Sequence, residues 1–237
     1  MGWVRLRQVA LVASSLEPVV SALESQLRLR VAYRDPSVAM FGLHNAVMPI
    51  GSQFVEVVSP LPGPDGTGTA AGRHLARLGG DGGYMVICHT DDQQAVRARA
   101  ASEGVRVAFE AEEHGYRIMQ LHPRDTGGSF LEVDYQPGGS DPWGPWTPAG
   151  AQWRSAVCTD VVDGIVGVTV SSVDMGRTAS KWASLLGLTL GEGHVLHLDN
   201  ASVRFVAGEV DALVAVEVRG APAGSAWTIG GVRFESA

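Results

Sequence analysis

One order of patterns recurs along this chain and limits what it can fold into. A β-rich run, an amphipathic helix and three further β-rich runs begin at Arg7, and the same order begins again at Gly83 and at Gly164. Self-similarity of this kind marks stacked or paired supersecondary units, because one such unit cannot bury its apolar face alone. In the first copy Arg7–Ala13 reads as a strand, and Ser14-Ser15 with Glu17 and Pro18 starts a helix. Val19, Val20, Leu23 and Leu27 keep the 3.6-residue period of that helix up to the basic stretch Arg28–Arg30. Strands are expected over Val31–Arg34, Ala39–Ile50 and Gln53–Ser59, a Pro/Gly loop over Leu61–Thr69 and a short helix over Ala70–Leu78.

The second copy places strands over Gly83–Thr90, Val105–Phe109, Tyr116–Leu121 and Ser129–Gln136, with a helix over Gln93–Ser102 capped by Asp91-Asp92. Residues 137–150, rich in Pro, Gly and Trp, cannot hold regular structure and open a linker over 137–159. Its tryptophans, Trp143, Trp146 and Trp153, are large to leave in water and are expected to pack on the domain surface. A third copy follows with a strand over Gly164–Ser171, a helix over Val173–Leu186 and strands near Leu188–Leu190, Val195–Leu198 and Ser202–Ala207. The fourth is truncated: Leu213–Arg219 is a strand, no helix fits in 220–225, and Trp227–Glu235 ends the chain. The expected class is α+β, with a paired-module domain over 1–136, the linker, and a smaller second pair over 160–237.

Charge and composition remove several function classes. The net charge of −7, with 18 Lys+Arg scattered singly, offers no basic stripe for nucleic acid. At 45% hydrophobic and 18% charged residues the chain is too apolar for disorder, and it has no apolar run long enough to span a membrane. Residues 1–8 lack the apolar core of a signal peptide, and Cys88 and Cys158 form neither a C-x-x-C pair nor a zinc spacing, so a reduced, cytoplasmic setting is expected.

Within the second copy, the stretch from His122 to Gln136 is a turn feeding a strand. Period two sets Phe130, Glu132 and Asp134 on one face and Leu131, Val133 and Tyr135 on the other. On a solvated face Glu132 is an ordinary outward glutamate, and in a cavity it is a candidate ligand or base. Gly230-Gly231 followed by Glu235 repeats the spacing of Gly127-Gly128 and Glu132 at the same place in the order. His44 and Asn45 precede a strand, where they could hydrogen-bond a ligand carbonyl, but they read first as a turn-adjacent pair satisfying nearby backbone. His194 and His197, three apart, face opposite sides of a short strand and cannot jointly hold an ion.

These modules, with Leu185-Leu186-Gly187-Leu188 after a helix and Gly-Gly-x-x-x-Glu at a module end, resemble the vicinal oxygen chelate superfamily of glyoxalase-like proteins. The resemblance implies tandem βαβββ modules curled pairwise into a cradle of strands. It also implies a divalent metal held by four side chains, one from the first and one from the last strand of each module. Carried over by position, the metal ligands are Gln8, Glu56 and Glu132, and the fourth position falls on Met85, a soft thioether poorly matched to such ions. The surroundings of Glu132 look much like those of methylmalonyl-CoA epimerases, which implies catalytic roles for Glu132 and, from the cradle rim, His122. In the second pair Ile165 and Leu213 fall on the first-strand positions, Arg204 near the Glu56 position and Glu235 on the last. That pair reads as a structural partner that covers the first cradle or supplies an interface, as in a homodimer.

Two functions follow from the resemblance. One is a glyoxalase- or epimerase-type enzyme, in which a carboxylate such as Glu132 moves a proton next to a carbonyl with metal assistance. The other is a metal-free binding protein of the bleomycin-resistance kind that uses the cradle as a concave pocket for a small molecule. A filled interior with no activity is a third reading.

Overall fold

The computed structural model describes residues 2–63 and 68–237. The first module consists of β1 (Val4–Val12), α1 (Leu16–Leu27), β2 (Leu43–Ile50), β3 (Gln53–Pro60) and α2 (Ala70–Leu78). The second consists of β4 (Gly82–Thr90), α3 (Gln93–Ser102), β5 (Val107–Glu113), β6 (Tyr116–Leu121), the single turn α4 (Pro123–Thr126) and β7 (Phe130–Asp134). Together they form a seven-stranded mixed sheet in the order β2-β3-β1-β4-β7-β6-β5. The rest of the chain supplies β8 (Gly164–Ser172), α5 (Met175–Leu186), β9 (Leu190–Gly191), β10 (Val195–His197), β11 (Ser202–Ala207), β12 (Ala212–Arg219), β13 (Ala226–Ile229) and β14 (Val232–Ser236). These make a second seven-stranded sheet, β13-β14-β12-β8-β11-β10-β9. The α+β class with curled mixed sheets and flanking helices is the one the module order implies.

Several boundaries differ from expectation for local reasons. The strand placed over Ala39–Ile50 begins only at Leu43, because Pro36 fixes its φ and the Asp35 carboxylate accepts from Ser37 N–H (2.8 Å), starting a 3₁₀ helix over Pro36–Phe41. Val31–Arg34 makes only an isolated bridge, Tyr33 to Val47. Trp227–Glu235 is a hairpin that reverses at Gly230 and Gly231, both at positive φ (54° and 72°). Of the expected loop 61–69, residues 64–67 lie outside the described residues.

The two sheets pack back to back. Leu6, Val9 and Leu11 of β1, Val86 and Cys88 of β4, and Leu131 and Val133 of β7 share one core with Val168 and Val170 of β8 and Leu213 and Val216 of β12. Helices α1, α3 and α5 enter the same core through Leu23, Leu27, Val96, Trp182 and Leu186. Each such side chain stabilises by about 1.5–3 kcal/mol through burial. The approach is close enough to exclude a side chain at Gly83, where a Cβ would stand 2.0 Å from the Leu213 carbonyl oxygen.

Both sheets carry the same two irregularities. Against β4, β1 shifts register between Leu6 and Gln8 and again after Ala10; against β12, β8 shifts between Ile165 and Gly167 and again after Thr169. A bulge leaves backbone groups unpaired, and each half of the chain satisfies those of the other. The Asn200 amide pairs with Leu6 N–H (2.9 Å) and Leu6 C=O (3.0 Å), and the Gln53 amide pairs with Ile165 N–H (2.8 Å) and Ile165 C=O (2.9 Å). Matching the shifts corrects the sequence alignment of the second pair. Gly167, not Ile165, stands where Gln8 does, and Ala215, not Leu213, where Met85 does, whereas Arg204 and Glu235 keep their places opposite Thr169 and Glu217.

The linker departs most from expectation. It inserts into the first sheet's concave face instead of lying on the surface, with Trp146 and Trp153 each 1% exposed against Ala10, Phe54 and Tyr116, and only Trp143 left 45% exposed.

Candidate functional site

The bulge in β1 determines what the cradle contains. Strict alternation would put Gln8 on the side of Leu6, in the shared core. The extra residue, Arg7, shifts the phase, so that Leu6, Val9 and Leu11 face the core while Ala10 and Val12 join the concave face and Gln8 lines its cavity. Arg7 lies on the same side, with its guanidinium 5.2 Å from the Phe54 ring centre and 5.3 Å from that of Trp146. It donates to the carbonyl oxygens of Ser52, Pro142 and Gly144, which fastens the linker over the cradle. Burial lowers its pKa to about 10, which leaves it charged at neutral pH.

A cavity of about 220 Å³ remains in the concave face, and Gln8, Glu56, Met85 and Glu132 all line it together with Asn45, Tyr116 and Gln120. The register of the strands explains the grouping. Glu56 lies opposite Ala10 and Glu132 opposite Ile87, with Gln8 and Met85 each two residues before those partners. Gln8 and Met85 are therefore equivalent positions of the two modules. Apolar walls come from Leu43, Val58 and Ile118, and from the edge-to-face pair Phe41 and Phe109 at 4.9 Å.

The hydrogen bonds fix which way the amides point. Trp146 Nε1–H donates to Gln8 Oε1 (2.8 Å), and an indole N–H can only donate, so Gln8 turns its NH₂ towards Glu56 Oε2 (2.8 Å). Asp35 N–H donates to Asn45 Oδ1 (2.8 Å), so Asn45 turns its NH₂ towards Glu56 Oε1 (2.7 Å). Both carboxylate oxygens of Glu56 thus meet N–H donors. Burial nevertheless pushes its pKa up to about 7, the amides offsetting part of that rise and the nearby Glu132 adding to it.

Across the cavity, Gln120 Nε2–H donates to Glu132 Oε2 (2.7 Å). Burial raises the pKa of both Glu132 and the adjoining Asp134; the Glu132 charge adds to the rise at Asp134, and hydrogen bonds from Tyr116 O–H and Met119 N–H oppose it. The two carboxyl groups titrate as a pair. Tyr116 O–H donates to Asp134 Oδ2 (2.5 Å), linking the buried acid to a cavity-lining phenol.

This arrangement does not fit a divalent ion. An ion bound by Gln8, Glu56 and Glu132 would compete with the Trp146 N–H for the Gln8 oxygen and would face the NH₂ groups that Gln8 and Asn45 turn towards Glu56. Met85 adds no hard donor, and among the described residues no cluster of three or more His, Cys, Asp or Glu side chains could hold an ion. His122 is elsewhere. It caps α4, its Nδ1 accepting from Arg124 N–H (3.2 Å), and it lines a separate cleft instead of the cavity holding Glu132. His194 and His197 lie on the second sheet's far edge.

Sequence reasoning missed Gln120 and Tyr116, ranked the ligand-contact reading of Asn45 second, and gave Trp146 no place in the site. The pairing of Asn45 opposite Val58 on β3, and of Gln120 directly opposite Glu132, was hidden because register between strands is not written in either strand alone. Cys88 and Cys158 are both free and buried.

No helix among the described residues is long and apolar enough to cross a membrane. Among curated proteins, no sequence matches this chain. Among solved structures, a hypothetical protein from Staphylococcus aureus is similar over 99% of each chain at 18% identity and a TM-score of 0.68. A methylmalonyl-CoA epimerase from Streptomyces coelicolor in complex with 2-nitronate-propionyl-CoA matches 56% of this chain and 96% of its own at 22% identity, with a TM-score of 0.48. The epimerase from Mycobacterium tuberculosis matches 55% of this chain and 86% of its own at 21% identity and a TM-score of 0.47. The sequence profile of the glyoxalase-like domain matches residues 9–186, which run from within β1 through the rest of the first sheet, the linker, β8 and α5, and the chain belongs to that family.

Proposed function

We propose that the first cradle binds a small carbonyl compound and moves a proton at the carbon next to the carbonyl, as an isomerase or lyase does, without a metal ion. The observation that carries this reading is the convergence of two buried carboxyl groups, Glu56 and Glu132, on one cavity of about 220 Å³. Glu132 takes the proton, since it lines the cavity and the adjoining Asp134 does not. Glu56, with a pKa of about 7, is partly protonated at neutral pH and returns a proton from the other wall. The enolate oxygen that develops between them is met by the second N–H of Gln120, Asn45 or Gln8, each amide using only one N–H on a carboxylate. Apolar walls on part of the cavity lower the local dielectric and strengthen those bonds. Pure ligand binding is the second reading, favoured by the largely apolar lining of the cavity.

The test is deuterium exchange from D₂O into a panel of small 2-substituted thioesters and ketones, followed by NMR with chelator-treated protein. Glu132→Gln and Glu56→Gln should each slow exchange by about 10²–10⁴-fold. Exchange that requires added metal, or that survives in the double variant, would sink the reading.

A further inference from the structure

A second, larger recess opens beside the cavity. It measures about 660 Å³ and shares Ala70 and Phe130 with the cavity as a common wall. Its lining concentrates positive charge in a chain whose net charge is −7: Arg73, Arg77 and Arg124 face Asp211 as the one carboxylate. Arg73 and Arg77 are held in place by neutral groups. His74 donates from Nε2 to the Gly83 carbonyl (2.9 Å), which leaves Nδ1 to accept from Arg77 (2.8 Å), and burial lowers its pKa so that it stays uncharged. Arg77 also donates to the Asp211 carbonyl (3.0 Å), and Arg73 to that of Gly68. The His122 ring accepts at Nδ1 from Arg124 N–H, which puts its N–H at Nε2. The Asp211 carboxylate accepts from Val173 N–H (3.1 Å).

We propose that this cleft is an anion site for a phosphate ester, and that the ligand is bipartite, with a carbonyl head in the cavity and a phosphoryl tail among Arg73, Arg77, Arg124 and His122. The chemistry favours phosphate over carboxylate. Three guanidinium forks and an imidazole N–H converge from α2 and α4, a donor set that suits a dianion with three outer oxygens better than a monoanion with two. Size points the same way. The cavity alone, at about 220 Å³, falls below the usual scale of a ligand site, roughly 300–1,000 Å³, and the adjoining cleft of about 660 Å³ supplies the missing room. His122 thus has a place in ligand binding without approaching Glu132. The bipartite ligand rests on the acid–base reading of the cavity; the anion site does not.

Calorimetric titration with inorganic pyrophosphate tests the anion site. Arg73 and Arg124 have exposed side chains, so the Arg73→Ala, Arg124→Ala double variant keeps the fold, which a thermal melt verifies. Binding to the unaltered protein should be saturable and weaken with salt, fall at least tenfold in the double variant and be unchanged in Glu132→Gln. Absence of binding at millimolar pyrophosphate, equal binding by the double variant, or equally tight binding of tricarballylate would overturn the assignment. If pyrophosphate binds at the arginines while Glu56→Gln and Glu132→Gln leave deuterium exchange intact, the anion site stands and the acid–base reading falls.

Discussion

The two sheets are built on one plan and have opposite interiors. Each has seven strands, two register shifts between the opening strands of its two modules, and a last strand parallel to the strand that opens the second module. At the matched positions the first sheet has Gln8, Glu56, Met85 and Glu132, and the second has Gly167, Arg204, Ala215 and Glu235. Where the first buries its acids under Trp146, the second leaves Arg204 and Arg233 exposed and answers Glu235 with a surface ion pair to Arg233 (2.5 Å). The lesson is that the fold alone specifies neither a cavity nor its charge. The covering segment and a few side-chain sizes do that.

The sharpest way to break the comparison is to remove the cover. Trp146→Ala deletes a fully buried indole and leaves Gln8 Oε1 without its donor, and should cost about 3–5 kcal/mol in urea denaturation at constant m-value. A loss below about 1 kcal/mol would mean that the linker does not hold the cradle.

The pH dependence of stability measures how differently the first cradle treats its acids. Glu56 has an ordinary carboxyl pKa of 4.5 when unfolded and about 7 when folded, so its protonated form stabilises the fold fully below pH 4.5, and that contribution is lost as pH rises to 7. The shift corresponds to about 3 kcal/mol. Stability of the unaltered protein should therefore fall relative to Glu56→Gln across this window and run parallel to it above pH 8. Parallel curves throughout would show that Glu56 is not desolvated.

The smallest effect is expected in the second sheet. Glu235→Gln loses only a surface pair whose side chains are 59% and 33% exposed, and should change stability by less than about 0.5 kcal/mol. A cost of several kcal/mol would place Glu235 in a buried network and erase the contrast with Glu132.

The module order was readable because period and turn chemistry are local properties: Asp92 caps α3 and Asp174 caps α5 from within their own segments. Glu132 and Glu56 could be singled out from their places in the repeat. What could not be read was anything that depends on one strand's phase against another. A single extra residue at Arg7 decides that Gln8 faces Glu56, and the same shift near Val166 makes Gly167, not Ile165, its counterpart. Nor could the fate of Trp146 be read, because its partner, Gln8, lies at the other end of the first sheet's sequence.

The reciprocal amide clasp at the two bulges has a consequence for how the protein is made. A ribosome delivers Leu6 and its unpaired backbone groups long before Asn200, the side chain that satisfies them, and it delivers Gln53 well before Ile165. Until the last third of the chain has emerged, the back of the first sheet faces water along Leu6, Val9 and Leu11, an exposed apolar surface that must be shielded by α1 and α3 alone. Translation speed over residues 137–200, and the chaperones at hand while they are synthesised, therefore bear directly on the yield of the protein.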